Sequence, residues 1–95
     1  MYARVSTFMG KPENIGQAIK PLKEAFITKE KGWKGGYALI NRQTGKMLTM
    51  TLWETKEDME ATVQVGNQIR GQAASLAGAA PPTVEVYEVA LTPED

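Results

Sequence analysis

The chain has 95 residues, 11 of them Lys or Arg and 11 Asp or Glu, so its formal charge is zero and no basic field exists to attract nucleic acid or anionic lipid. It contains neither cysteine nor histidine, which excludes disulfides, thiolate nucleophiles, Cys- or His-ligated metals, Ser-His-Asp triads and a proximal histidine on haem. One domain covering residues 1–95 is expected, with a modest core that a partner chain would help to cover. The start, "MYARVSTFMG", lacks a charged leader followed by a long apolar run, so no signal peptide is expected. No apolar run approaches the ~20 residues of a membrane span. A cytoplasmic protein without metal or organic cofactor fits this composition.

In chain order, "YARVSTFM" (2–9) alternates Ala3, Val5, Thr7 and Met9 with Tyr2, Arg4, Ser6 and Phe8, and reads as a strand. After Gly10 the period changes. Ile15, Ala18, Ile19, Leu22, Ala25 and Phe26 form one helical stripe running toward Thr28. Asn14 with Gln17, or Pro12, would open this helix, and Pro21 would kink it. "WKGGYALINR" (33–42) reads as a second strand, and "NRQTGK" (41–46) as a hairpin loop with Gly45 suited to positive φ. "KMLTMTLW" (46–53) is the third strand. Thr55 caps a second helix, with Glu57 and Asp58 in its first turn, expected to run to about Ala77. "TVEVYEVAL" (83–91) is the last strand and "TPED" a tail. The order β-α-β-β-α-β is the ferredoxin-like α+β plan: a four-stranded antiparallel sheet with two helices on one face.

The third strand has two largely apolar faces. Leu48, Met50 and Leu52 alternate with Met47, Thr49, Thr51 and Trp53. Two helices cover one face of such a sheet and leave the other open. An uncovered apolar face of that size is uncommon in a monomer, so a two-fold homodimer packed sheet against sheet is expected.

At these spacings "YARVSTF", "TGKMLTMTLWETKEDMEA" and "VEVYEV" resemble the antibiotic biosynthesis monooxygenase (ABM) type of domain within the dimeric α+β barrel superfamily. The likeness spans nearly the whole chain. It is most specific at the tryptophan that ends a strand before a capped acidic helix start. It implies that Met47, Thr49, Thr51 and Trp53 line a cleft under the helices, and that Leu48, Met50 and Leu52 enter a dimer barrel. It also implies a cofactor-independent oxygenase acting on a small aromatic or polyketide-like compound. Such motifs specify fold better than activity. The alternative is a non-catalytic dimeric domain that binds a small apolar ligand or serves assembly. The missing histidine speaks against the haem-degrading branch.

Arg70 stands out without the resemblance. Met59, Val63, Gly66, Ala73 and Ala77 mark the inward stripe of the second helix. At ~100° per residue Arg70 falls ~20° from Val63. A charge there snorkels, pairs or faces a polar cleft, where it would bind a carboxylate or phenolate. Alternatively, Gly66 or Gly71 breaks the helix and turns Arg70 outward. Trp53 either stacks on a planar ligand or fills the core. Thr49 and Thr51 either hydrogen-bond a ligand or one another, or are the ordinary threonines that strands favour. Tyr37 and Tyr87 read as packing residues. Arg4 and Glu85, on adjacent antiparallel strands, are expected to form a cross-strand ion pair. Gly35-Gly36 makes no phosphate loop, and the charges of "KEKGWK" and "ETKED" read as solvated surface.

Overall fold

Alternation becomes four strands and the two helical stripes become helices on one side of them. In the computed structural model, which describes residues 1–27 and 30–94, the order is β1 (Tyr2–Met9), a 3-10 turn (Ile15–Ala18), α1 (Ile19–Ile27), β2 (Trp33–Asn41), β3 (Lys46–Trp53), α2 (Lys56–Glu60), α3 (Val63–Leu76) and β4 (Thr83–Glu88). The sheet order is β2-β3-β1-β4, with every neighbour antiparallel. This is the ferredoxin-like α+β plan. The hairpin loop closes as expected. Asn41 Oδ1 accepts from the backbone N–H groups of Gln43 and Thr44, and Gly45 takes φ +82°, a value a side chain would disfavour.

The helices depart from the sequence reading in three ways. Asn14 makes no side-chain cap, and the segment begins as a 3-10 turn. The α-helix then starts at Ile19, which puts Pro21 in its first turn. First-turn N–H groups have no intrahelical partner, so the proline removes nothing and no kink is needed. Ile19 falls outside the stripe and is exposed. Thr28, toward which this helix was read, lies outside the described residues, as do Lys29 and Asp95. The expected second helix is two helices. Thr55 caps the first of them, accepting from Asp58 N–H at 3.0 Å, but the chain breaks between Glu60 and Val63. The Thr62 hydroxyl donates to Met59 O at 2.8 Å in that break. The break rotates Val63 off the inward stripe and leaves it exposed. β4 ends at Glu88, three residues short of the 91 expected.

Register sorts the faces. Phe8 pairs with Met47, Ser6 with Thr49, Arg4 with Thr51 and Tyr2 with Trp53. These residues face the helices, and Met47, Thr49 and Trp53 are buried. Val5 pairs with Met50, and Met50 with Tyr37. That second set faces away from the helices, where Tyr37 is 63% and Leu39 is 53% exposed. The core under the helices gathers Phe8, Ile15, Ala18, Leu22, Met47 and the alanines 73, 74 and 77. The alanines let α3 approach closely. A Cβ at Gly10 would stand 2.8 Å from Ala77 Cβ, closer than real Cβ contacts come, so glycine is required there. β4 is exposed along its whole length, because the helices do not reach across it.

Candidate functional site

From the Phe8 end to the Trp53 end, the helix-facing side of the sheet changes character. Phe8 and Met47 are apolar and buried. Next come Ser6 and Thr49, two buried hydroxyls bonded to each other. Then come Arg4 and Thr51, and last Trp53. At this end the layer between sheet and helices is not filled. A cavity of about 120 Å³ remains, with Thr49, Thr51, Trp53 and Arg70 all in its wall. It is far larger than a single water needs. The four residues singled out in the sequence therefore converge on one space within one subunit.

Arg70 points inward and is 7% exposed. Gly66 and Gly71 do not break the helix; both lie within α3. Gly66 instead makes room, since a Cβ there would stand 2.7 Å from Arg70 Nη1 and 3.1 Å from Arg4 Nη1. Arg70 Nη2 donates to Asn67 Oδ1 one turn back at 2.5 Å, and its buried Nε has no partner. Thr51 and Thr49 do not bond one another. Thr51 Oγ1 accepts from the Trp53 indole N–H at 2.9 Å, which fixes the ring. Thr49 is held by Ser6. Trp53 meets Trp33 edge-on, with centroids 5.5 Å apart, and Trp33 meets Phe26 at the same distance. These rings supply the apolar wall. Tyr37 and Tyr87 are exposed and take no part.

The residue missed from sequence is Arg4. Its register partner on β4 is Val86, while Glu85 lies opposite Val5. Arg4 and Glu85 thus sit on opposite faces, and the expected ion pair does not form. Glu85 instead bonds Tyr87, an exposed phenol that this contact holds above its ordinary pKa. Arg4 turns under the helices and is 5% exposed. Its Nη2 donates to Met59 O and to Thr62 Oγ1 at the break between α2 and α3, and its guanidinium carbon lies 5.7 Å from the Trp53 ring centre, within cation–π range. The signal was present: Arg4 alternates in phase with Phe8, the obvious inward residue of β1.

Two guanidinium groups thus share one small, aromatic-walled space. Among the described residues the ion pairs are Lys34–Glu54 and Lys56–Glu60, both on the surface. Neither Arg4 nor Arg70 pairs with a carboxylate there. Burial lowers the Arg4 pKa from its ordinary value. Arg70 is pushed down to about 10, first by burial and then by the charge of Arg4. Among the described residues no group of three or more His, Cys, Asp or Glu is placed to hold a metal ion. No helix there is long and apolar enough to cross a membrane.

Comparison with solved structures reads the same architecture. The Streptomyces coelicolor monooxygenase from the gene ActVA-Orf6, solved with nanaomycin D, superposes with TM-score 0.75 at 16% identity, covering 97% of this chain and 91% of that one. SnoaB, a cofactor-independent oxygenase of Streptomyces nogalater, gives TM-score 0.69 at 15% identity over 99% and 97%. MhuD, a heme-degrader of Mycobacterium tuberculosis solved with two hemes bound, gives 0.72 at 15% over 97% and 98%. The chain has the fold of an antibiotic biosynthesis monooxygenase-like domain. Identities this low carry the fold alone. No family model matches the chain. Uncharacterised Mycobacterium tuberculosis proteins are 30–31% identical over the whole of it, and it spans 41–43% of their length.

Proposed function

We propose that this ABM-like chain is a cofactor-independent monooxygenase for a small aromatic or polyketide-like phenol, acting as a homodimer. The observation that carries the reading is the convergence of Trp53 and the buried Arg70 on one aromatic-walled cavity. An electron-rich phenolate reacts with oxygen by itself, so the protein has little to supply beyond a dry site and a positive group. The pair of guanidinium charges lowers the pKa of a phenol beside it, so ionisation needs no histidine base. The overall change is balanced: a phenol bearing a para C–H takes up one O₂ and yields the quinone and one water. The positive charge of Arg70 in the cavity wall stabilises the phenolate ring and the charge that grows on reduced oxygen. The chemistry named for the ActVA-Orf6 product and SnoaB, which share the fold, supports the class.

Oxygen uptake with a panel of naphthols tests the proposal. Label from ¹⁸O₂ should appear in the quinone, and Arg70→Ala should reduce turnover about ten- to a hundredfold, the loss expected for one charge-assisted contact. No uptake with any electron-rich phenol leaves the second reading, a non-catalytic binding domain. One observation favours that reading: Glu30, at the exposed rim, is the cavity's one lining carboxylate among the described residues. With no histidine in the chain, titration with haemin should give no stoichiometric sub-micromolar complex; a tight one would replace both readings.

The homodimer reading is supported by the apolar face turned away from the helices, where Leu48, Met50 and Leu52 lie beside the exposed Tyr37 and Leu39. Light scattering at micromolar concentration should return twice the chain mass. Met50→Asp should give monomers or unfolded chain, because an unpaired carboxylate is costly to bury.

A further inference from the structure

We infer that Arg4 and Arg70 together form a receptor for one carboxylate, so that the ligand of this cavity is an aromatic acid whose carboxylate bridges the two guanidinium groups. The inference rests on reading the cavity as a ligand site. It adds a second binding residue and the charge of the ligand.

Like charges buried side by side repel and lose hydration, and proteins ordinarily compensate them with acids. Here both arginines are more than nine-tenths buried, and the described residues offer neither one an acid. Glu60, which lines a groove between the helices and β4 with both arginines, pairs with Lys56 on the surface, and Glu30 lines the cavity as an exposed residue; neither bonds an arginine. The Nη2 groups bond Met59 O, Thr62 Oγ1 and Asn67 Oδ1. Met59 and Asn67 line that groove, and Thr62 lines the cavity. Both guanidinium groups lie over Gly66, in the cavity wall, where a Cβ would stand 2.7 Å from Arg70 Nη1, 3.1 Å from Arg4 Nη1 and 3.2 Å from Arg70 Nη2, and neither Nη1 has a hydrogen-bond partner among the described residues. Arg70 Nε is also left without one. Two planar donors in one cavity wall, each with N–H groups left to bond, match the two oxygens of a carboxylate. A phenolate has one oxygen and satisfies fewer of them. The aromatic part of the ligand follows from Phe26, Trp33 and Trp53 in the same wall.

Benzoate is the probe, with benzamide as its neutral isostere and sodium sulfate as an oxyanion without a ring. Binding is read on the full chain by calorimetry and by the fluorescence of Trp33 and Trp53. Benzoate should bind at least tenfold more tightly than benzamide and than sulfate. Arg4→Lys keeps the charge but loses the planar fork, and should weaken benzoate about tenfold or more while leaving benzamide unchanged. Arg70→Met should abolish the preference for benzoate and raise the melting temperature of the ligand-free protein by roughly 5 °C or more. That rise is the readout a purely structural arginine would not give. Equal binding of benzoate and benzamide overturns the inference. So does benzoate affinity indifferent to Arg4→Lys, or a melting temperature that falls in Arg70→Met. Sulfate binding as tightly as benzoate overturns the aromatic half. Oxygen uptake does not enter the test. A chain that binds benzoate through both arginines but consumes no oxygen keeps this inference and loses the oxygenase. Oxygen consumption with binding indifferent to Arg4 does the reverse.

Discussion

The two ends of the layer between helices and sheet are built from the same four elements, and they differ in what α3 presents. Its C-terminal half carries Ala73, Ala74 and, just past its end, Ala77, all buried against Phe8, Met47 and Ile15. Small residues bring the helix close and large ones from the other side fill the gap. Nearer its start it carries Gly66 and, at its middle, Arg70 over Arg4 and Trp53. There the small residue makes room for guanidinium groups rather than for hydrocarbon, and the space stays open. One end holds the fold together. The other keeps an uncompensated charge, a cost to stability of the kind that functional sites carry.

The largest contrast comes from truncating one residue at each end. Ile15→Ala empties a fully buried site and should cost about 2–5 kcal/mol in urea unfolding. Ile69 is only partly buried and already borders the cavity, so Ile69→Ala should cost about 1 kcal/mol or less, because no new enclosed void forms. Equal losses would mean that the two ends are packed alike.

Arg70→Met should have the opposite sign and stabilise the ligand-free protein by about 1–3 kcal/mol. The gain should depend on pH in a defined direction. The folded protein holds the Arg70 proton less tightly than the unfolded chain, with the pKa pushed down from its ordinary value to about 10. The unfolded state therefore binds more protons between those values, and wild-type stability rises relative to the variant. The advantage of Arg70→Met is full at neutral pH and should narrow from about pH 10 upward. A gap constant to about pH 11 would show that Arg70 is not under that strain.

Gly66→Ala sharpens the same point. Alanine is favoured over glycine in a helix by roughly 1 kcal/mol. Its Cβ would stand 2.7 Å from Arg70 Nη1, the far end of a flexible side chain. The helix should gain most of that ~1 kcal/mol in denaturant unfolding while the guanidinium is displaced, seen as at least tenfold weaker benzoate binding. A loss of stability instead would mean that Arg70 cannot move, and that the open end is as rigid as the filled one.

Thr51→Val acts on the Trp53 ring alone. It removes the acceptor of the Trp53 indole N–H and should cost about 1–3 kcal/mol if no water replaces it, and less if the cavity admits one. Tryptophan emission shifted to the red would report that water. Unchanged emission and stability together would show that the bond does not hold the ring.

The sequence alone determined the order of strands and helical stripes, the hairpin loop, the cap at Thr55 and the two alternating residue sets of β3. All of these follow from local periods of two or 3.6 residues and from turn chemistry, which act over a few residues. Tertiary structure decided the rest. The unbroken α3 decided that Arg70 points inward rather than outward. Pro21 lies in a first turn only because the preceding residues take a 3-10 form. The long second helix breaks at 61–62, where Arg4, some 55 residues away in sequence, meets the carbonyl of Met59. Which residue of β4 faces Arg4 depends on register across the sheet, and a shift of one position exchanges Glu85 for Val86. That single position decides whether Glu85 stands beside Arg4 under the helices or on the opposite face, and only the paired strands fix it.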